Sequence, residues 1–247
     1  MSFKDHFSGH AAVYAAARPR YPAALFDWLV GQCPQRELVW DAGCGNGQAS
    51  VALAERFASV FATDPSATQI AAAEARPQLR YAVEPAEQCT LAAHSADLVT
   101  VAQALHWFDH ARFYPEVRRV LKPGGLFAAW GYQRSSVEPA VDAVFAELYE
   151  VTLGEYWPPE RRHIESGYRT LPFPFEERPA PVMELRCDWD LPQYLAYLSS
   201  WSASQRYLKT TGRDAVAEFA PTMARAWGDP ERIRRVCWPM VLRLGQA

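Results

Sequence analysis

Cysteine is scarce in this chain and never closely paired. The five, Cys33, Cys44, Cys89, Cys187 and Cys237, are odd in number, scattered, and form no CxxC. That spacing offers neither a zinc ligand set nor a disulfide framework. No window approaches the roughly 18 apolar residues of a membrane span. The opening MSFKDHFSGHAAVYAAARPRYP has no uninterrupted apolar core of signal-peptide length. No block rich in lysine or arginine occurs, although arginines gather near Arg161 and Arg234. With 25 basic and 28 acidic residues the formal charge is −3, too balanced for a nucleic-acid or membrane-surface footprint. Internal repeats and low-complexity tracts are absent too. These absences lead us to expect a cytoplasmic protein with no metal, nucleic-acid, membrane or obligate protein partner.

What is present is apolar material for a core and a rhythm along the first half. The 247 residues are 49% apolar, ordinary for a globular protein, and fit one domain carrying a substantial insertion. Short apolar runs at 38–40, 59–63, 79–83, 97–101 and 126–130 read as strands. Helical patterns near 48–57, 67–76 and 114–121 lie between them, and an earlier helix fits 21–30, with Pro22 in its first turn. This alternation predicts an α/β fold, Rossmann-like and doubly wound, with a mostly parallel sheet covered on both faces. LKPGG at 121–125 stops a helix and turns into the next strand.

After Tyr132 the rhythm changes. Helices are expected over 138–153, 191–208 and 214–227, the last closed by Gly228, with a proline-rich stretch and an alternating strand over 182–189 between the first two. A final strand over 235–244 contains Pro239, which demands a bulge or an edge position. We expect one domain over 1–247: an N-terminal segment and first helix over 1–35, a ligand-binding core over 36–131, and remaining strands plus a helical cap over 132–247.

The stretch WDAGCGNGQAS holds the clearest chemical signal. Gly43, Gly45 and Gly47 follow a strand and precede a helix. A loop at the carboxyl end of a parallel strand meets the mouth of the sheet, where ligands of such folds bind. Glycines let the backbone turn sharply and approach a bound molecule, and the helix offers unpaired N–H groups nearby. A dinucleotide fingerprint would need glycine where Gln48 stands, which disfavours a nucleotide-cofactor oxidoreductase. The G-x-x-x-x-G-K-[ST] phosphate loop is missing as well. Asp41 would sit beside the ligand, awkward for a phosphate and suited to a cation.

Asp41-Ala-Gly43-Cys-Gly45-Asn-Gly47 resembles motif I of the class I S-adenosylmethionine (AdoMet)-dependent methyltransferases. AdoMet carries an ammonium and a sulfonium, which suits a carboxylate and no phosphate cradle. The resemblance implies a seven-stranded sheet, AdoMet as donor and S-adenosylhomocysteine as product. It places Asp64, in VFATDPS, on the ribose hydroxyls with Pro65 beside it, and two adjacent hydroxyls do match the two oxygens of one carboxylate. Ala86-Glu87 resembles the pair beside the adenine, although Glu87 also reads as a solvated loop acid. Gln103 and the segment VAQALHWFD follow the fourth strand, and LKPGG matches the family's turn. FSGHAAVYAAARPRYP and QALHWFD look like the group containing trans-aconitate methyltransferase. That likeness implies an N-terminal lid of Phe7, Tyr14, Arg18 and Tyr21, with Arg18 or Tyr14 near the methionine carboxylate. An ordinary amphipathic first helix is the plainer alternative.

Methyl transfer from a sulfonium is an in-line displacement in which proximity and water exclusion carry much of the rate. His106 follows the fourth strand, and three roles are open to it: general base, acceptor-orienting group, or structural loop histidine. Trp107, Trp130, Tyr132, Arg161 and Trp201 are candidate acceptor contacts, and an aromatic pocket with a guanidinium would suit a small acid. The expected reaction is methylation of a small molecule on a carboxyl or hydroxyl oxygen. The alternatives are C- or N-methylation of a lipid-like or secondary metabolite, and a non-catalytic AdoMet-binding module.

Overall fold

A computed structural model describes residues 18–247. The first helix, α1 (Ala23–Gln32), starts two residues later than the periodicity suggests, because Pro22 is its N-cap rather than part of its first turn. The core then runs β1 (Leu38–Ala42), α2 (Gln48–Ala54), β2 (Ser59–Thr63), α3 (Ala67–Ala71), β3 (Leu79–Ala82), β4 (Ala96–Ala102), α4 (His110–Val120) and β5 (Leu121–Tyr132). Strands β1 to β5 are parallel, in the spatial order β3-β2-β1-β4-β5. Successive strand residues serve opposite faces. Val39, Leu98 and Leu126 pack with Leu25, Leu29 and Leu53 on one side, and Trp40, Val99 and Phe127 pack with Phe113 and Val117 on the other. Burial on both faces is what a parallel sheet requires.

LKPGG lies within β5 instead of preceding it. The β4–β5 register jumps between Ala96 and Leu98, so the segment forms a bulge, with Gly124 at φ 79°. The chain continues through α5 (Pro139–Ala146), a π-helical turn (Glu147–Thr152), α6 (Arg161–Glu165), β6 (Glu176–Arg178), β7 (Glu184–Trp189), α7 (Leu191–Ser199), α8 (Ser202–Thr211), α9 (Ala215–Trp227) and β8 (Arg234–Gln246). The main sheet path has seven strands, β8 running antiparallel to β5 and β6 forming the far edge. An eighth strand, β7, pairs only with the first half of β8. Pro239 marks the transfer: β8 pairs with β7 as far as Pro239 and with β5 from Met240 onward.

Two late helices depart from their periodicity. The pattern over 191–208 reads as one helix, yet the chain breaks at Ser200 and Trp201. Serine side chains compete for the carbonyls there, Ser200 Oγ donating to Tyr197 O at 2.6 Å and Ser204 Oγ to Leu198 O at 2.8 Å. The break tucks Trp201 inside the cap. Likewise α5 gives way to the π turn, where Leu153 N donates to Leu148 O at 2.9 Å. The cap has its own aromatic core, in which Trp227, Trp238 and Tyr194 are buried with Phe145 and Tyr197. Among the described residues no helix is long and apolar enough to cross a membrane.

Candidate functional site

A cleft of about 750 Å³ opens at the carboxyl ends of β1, β2, β3, β4 and β5. Its floor is the glycine loop. Gly43, Gly45 and Gly47 have φ of 67°, 55° and 85°, a region that side chains make costly. A Cβ on Gly43 would lie 2.8 Å from both Ala104 Cβ and Phe108 Cζ, so this glycine lets the β4 loop close against the β1 loop. Gly47 serves differently and does not line the cleft. It caps α2, and a Cβ there would meet the Tyr81 hydroxyl at 2.1 Å.

Asp64 lines the cleft at the end of β2 with its carboxylate held from two directions. Gly45 N–H donates to Oδ2 and Ser66 N–H to Oδ1, each at 2.9 Å. The glycine loop thus helps to aim the acid through its own backbone N–H. Pro65, Ala86 and Glu87 line the same region. Glu87 is more than a solvated acid: its Oε1 accepts Asp109 N–H at 2.8 Å, tying the segment after β3 to the turn before α4.

Asp41 does not face the cleft. It is fully buried beneath the loop, where its carboxylate accepts Ser50 Oγ at 2.5 Å and Thr100 Oγ1 at 2.9 Å. Burial pushes its carboxyl up to about 6, against the lowering effect of those two hydroxyls. Asp41 therefore clamps β1, β4 and α2 together. The expectation that it meets a ligand cation fails because strand alternation turns its side chain into the layers of the fold.

On the opposite wall stand Arg18, Tyr21, Gln103, Trp107, Tyr132 and Glu160. Arg18 Nη1 donates to Tyr132 Oη at 3.0 Å and Nη2 to Ser200 O at 3.3 Å, so the guanidinium spans the cleft rim and the break between α7 and α8. Phe7 and Tyr14 lie outside the described residues. His106 is buried beside the cleft instead of lining it, its Nδ1 3.4 Å from the Tyr168 hydroxyl and its ring 4.6 Å from that of Trp107. Burial, reinforced by Arg161, His163 and His110, drives its pKa down to about 3. The side chain reaches Tyr168 and Trp107 beneath the cleft wall, and the lowered pKa makes its imidazole a weak proton acceptor.

Three acceptor candidates lie elsewhere. Trp130 is fully buried behind the sheet, edge-on to Phe26 and Tyr21. Trp201 is buried among Phe145, Tyr149 and Tyr197. Arg161 lines a separate outer groove of about 430 Å³, where Nε donates to Tyr149 Oη at 3.1 Å. The cleft also contains residues that periodicity did not single out, among them Asn46, Ser66, Gln69, Phe108, Asp109 and Arg112. Ser66 and Asp109 precede α3 and α4 as N-cap residues, a signal that marks helix starts and so, in this fold, the cleft mouth.

The methyltransferase domain family model matches residues 40–129, the stretch that supplies the glycine loop, Asp64 and Gln103. A Dictyostelium discoideum protein named as a methyltransferase is 34% identical over 229 residues, spanning 91% of this chain and 87% of its own. A Mycobacterium bovis uncharacterized methyltransferase is 41% identical over 120 residues, covering 48% of this chain and 49% of its own. Among solved structures, an Anaeromyxobacter dehalogenans protein assigned as a type II methyltransferase superposes with a TM-score of 0.87. It is 51% identical, over 93% of this chain and 97% of that one.

Proposed function

The chain belongs to the class I AdoMet-dependent methyltransferases, and from that premise we propose that it methylates a small molecule on a carboxyl or hydroxyl oxygen. The observation that carries the reading is the Asp64 carboxylate, fixed by the N–H groups of Gly45 and Ser66 at the edge of a loop whose left-handed backbone favours glycine. That arrangement suits a ribose, and the loop offers no basic side chain for a phosphate. When bound, AdoMet supplies a methyl group on a sulfonium leaving group that is already activated, so the reading needs no metal ion.

Gly43 and Gly45 would bring the backbone against the donor, Asp64 would hold its ribose, and Ala86 and Glu87 would border its adenine. Arg18 would meet its carboxylate at the rim. Trp107, Tyr132 and Tyr21 would exclude water from the acceptor side and orient the acceptor. An ionised carboxylate attacks without losing a proton, which matches a site whose nearby histidine is neutral and buried. This favours a carboxylic acid and agrees with the likeness to the trans-aconitate methyltransferase group. Asp109 and Glu160, both at the cleft, favour a second reading, N-methylation of an amine whose proton a carboxylate accepts. A cytoplasmic setting, with no nucleic-acid or membrane partner, completes the proposal; five free thiols support it.

The test is transfer of a radiolabelled methyl group from AdoMet into a metabolite extract, with the labelled product identified by its chemistry. A base-labile labelled ester supports a carboxylate acceptor, and label in an amine supports the second reading. Absence of any AdoMet-dependent product would leave only a binding module.

A further inference from the structure

Two irregular pieces of backbone and two arginines without acidic partners meet at the outer groove of about 430 Å³. The first piece is the π turn after α5. Its Leu153 N–H reaches back to Leu148 O at 2.9 Å, and its Tyr149 and Glu150 line the groove. Such turns recur at functional sites. The second is Trp157-Pro158-Pro159, stiffened by its prolines and closed by Arg161 N–H donating to Pro158 O at 2.9 Å. Trp157 Nε1 donates to Tyr149 O at 3.1 Å, so the indole is pinned to the π turn.

The charges there do not balance. Arg134, Arg161 and Arg162 share the groove with Glu150 and Glu165. Both carboxylates are taken: Glu150 pairs with Arg134, and Glu165 accepts from the Tyr149 hydroxyl and lies 3.5 Å from Arg134 Nη2. Arg161 commits only Nε, to Tyr149 Oη at 3.1 Å, and its guanidinium lies 5.3 Å from the Trp157 ring centre. Among the described residues neither Arg161 nor Arg162 pairs with an acid, so one positive charge is left beside an indole and two prolines. We propose that the outer groove is a second small-molecule site, separate from the cleft, for a singly charged carboxylate with a flat apolar body. Arg161 and Arg162 hold the carboxylate with charge-assisted hydrogen bonds, and Trp157 and Pro159 receive the ring. Glu150 and Glu165 repel a dianion such as phosphate. Glu160 belongs to the same segment yet lines the cleft, so the occupant lies behind the cleft wall. The site is independent of the methyl donor.

The test is a magnetic-resonance titration of benzoate into the isotope-labelled full chain. It is read at the indole N–H of Trp157, which Trp157→Phe identifies among the nine tryptophans. Benzoate should shift that signal saturably. Acetate, which lacks the ring, benzyl alcohol, which lacks the charge, and inorganic phosphate should each need at least about fivefold higher concentration. Arg162→Gln, an exposed change, should weaken benzoate about 3- to 10-fold, and Arg161→Gln at least as much. Glu160→Gln, on the cleft side, should leave it within about twofold. Benzoate that moves the Trp107 indole and not that of Trp157 binds in the cleft, which would overturn the proposal. A Trp157 signal that benzoate leaves unmoved, an affinity unchanged in both arginine variants, or phosphate binding as tight as benzoate would overturn it too.

Discussion

Between β1 and β3 the cleft wall is mostly backbone, shaped by Gly43 and Gly45 and held by bonds between neighbouring loops, such as Gly45 N–H to Asp64. The wall facing it is side chain, and its members come from far apart: Arg18 before α1, Tyr132 at the end of β5, Glu160 before α6. The first wall fixes the shape of a ligand's common part through main-chain geometry. The second can change residue by residue without disturbing the sheet, which is where substrate differences belong. The difference extends to stability, because the cap behind the second wall has an aromatic core separate from those on the sheet faces.

The sharpest way to separate the two regions is to damage one core and read the other. Trp201→Ala should cost about 3–5 kcal/mol of stability in denaturant titration, while AdoMet affinity of the folded fraction stays within about twofold. A collapse of AdoMet binding in the folded protein would make the two regions one cooperative site. Next in size, Gly47→Ala adds a methyl against Tyr81 in a left-handed backbone; a loss of about 2–4 kcal/mol is expected. Tyr81→Phe in the same protein should recover part of it, because the clash is with the hydroxyl.

Acid probes the two regions in opposite senses. Asp41 has a carboxyl raised from 3.8 to about 6, so its contribution to stability is greatest below its unfolded value and declines as pH rises from about 4 to about 6. His106 is lowered from 6.5 to about 3, so its contribution is complete above its unfolded value and declines as pH falls from about 6.5 towards 3. Asp41→Asn and His106→Gln should each flatten its own slope by about 2–3 kcal/mol across the window, measured by urea unfolding from pH 4 to 7. A methyl-transfer rate that titrates with His106 near neutrality would return that residue to the role of base.

Asp64→Ala should weaken AdoMet by about 1–3 kcal/mol in calorimetry. An unchanged affinity would remove Asp64 from the donor side. The smallest effect belongs to Arg161→Ala, expected within about 0.5 kcal/mol for AdoMet because the side chain lies in the outer groove. A larger loss would join that groove to the cleft.

How much of this could be read beforehand varies with the kind of residue. The placement of Gly43, Gly45 and Asp64 at the cleft was legible because it depends on backbone conformation and on position at strand ends, both of which short stretches encode. Asp41 was misplaced by the same motif: its sequence position says that it starts the loop, and only the strand's alternation, together with Ser50 and Thr100, says which way it points. Trp130 and Trp201 looked like pocket aromatics because a tryptophan has the same composition whether it lines a cleft or fills a core. The helix break at Ser200 was hidden as well, since the apolar spacing continues across it while serine hydroxyls take up the carbonyls.

The order of strands and helices over β1 to β5, the glycine loop and the acid after β2 were determined by the sequence alone, since each follows from local periodicity or from what a short backbone stretch permits. Tertiary structure decided which side chains of the second half reach the cleft and where His106 lies. Those outcomes depend on contacts between residues distant along the chain, where burial and direction are set by packing and leave no trace in neighbouring positions.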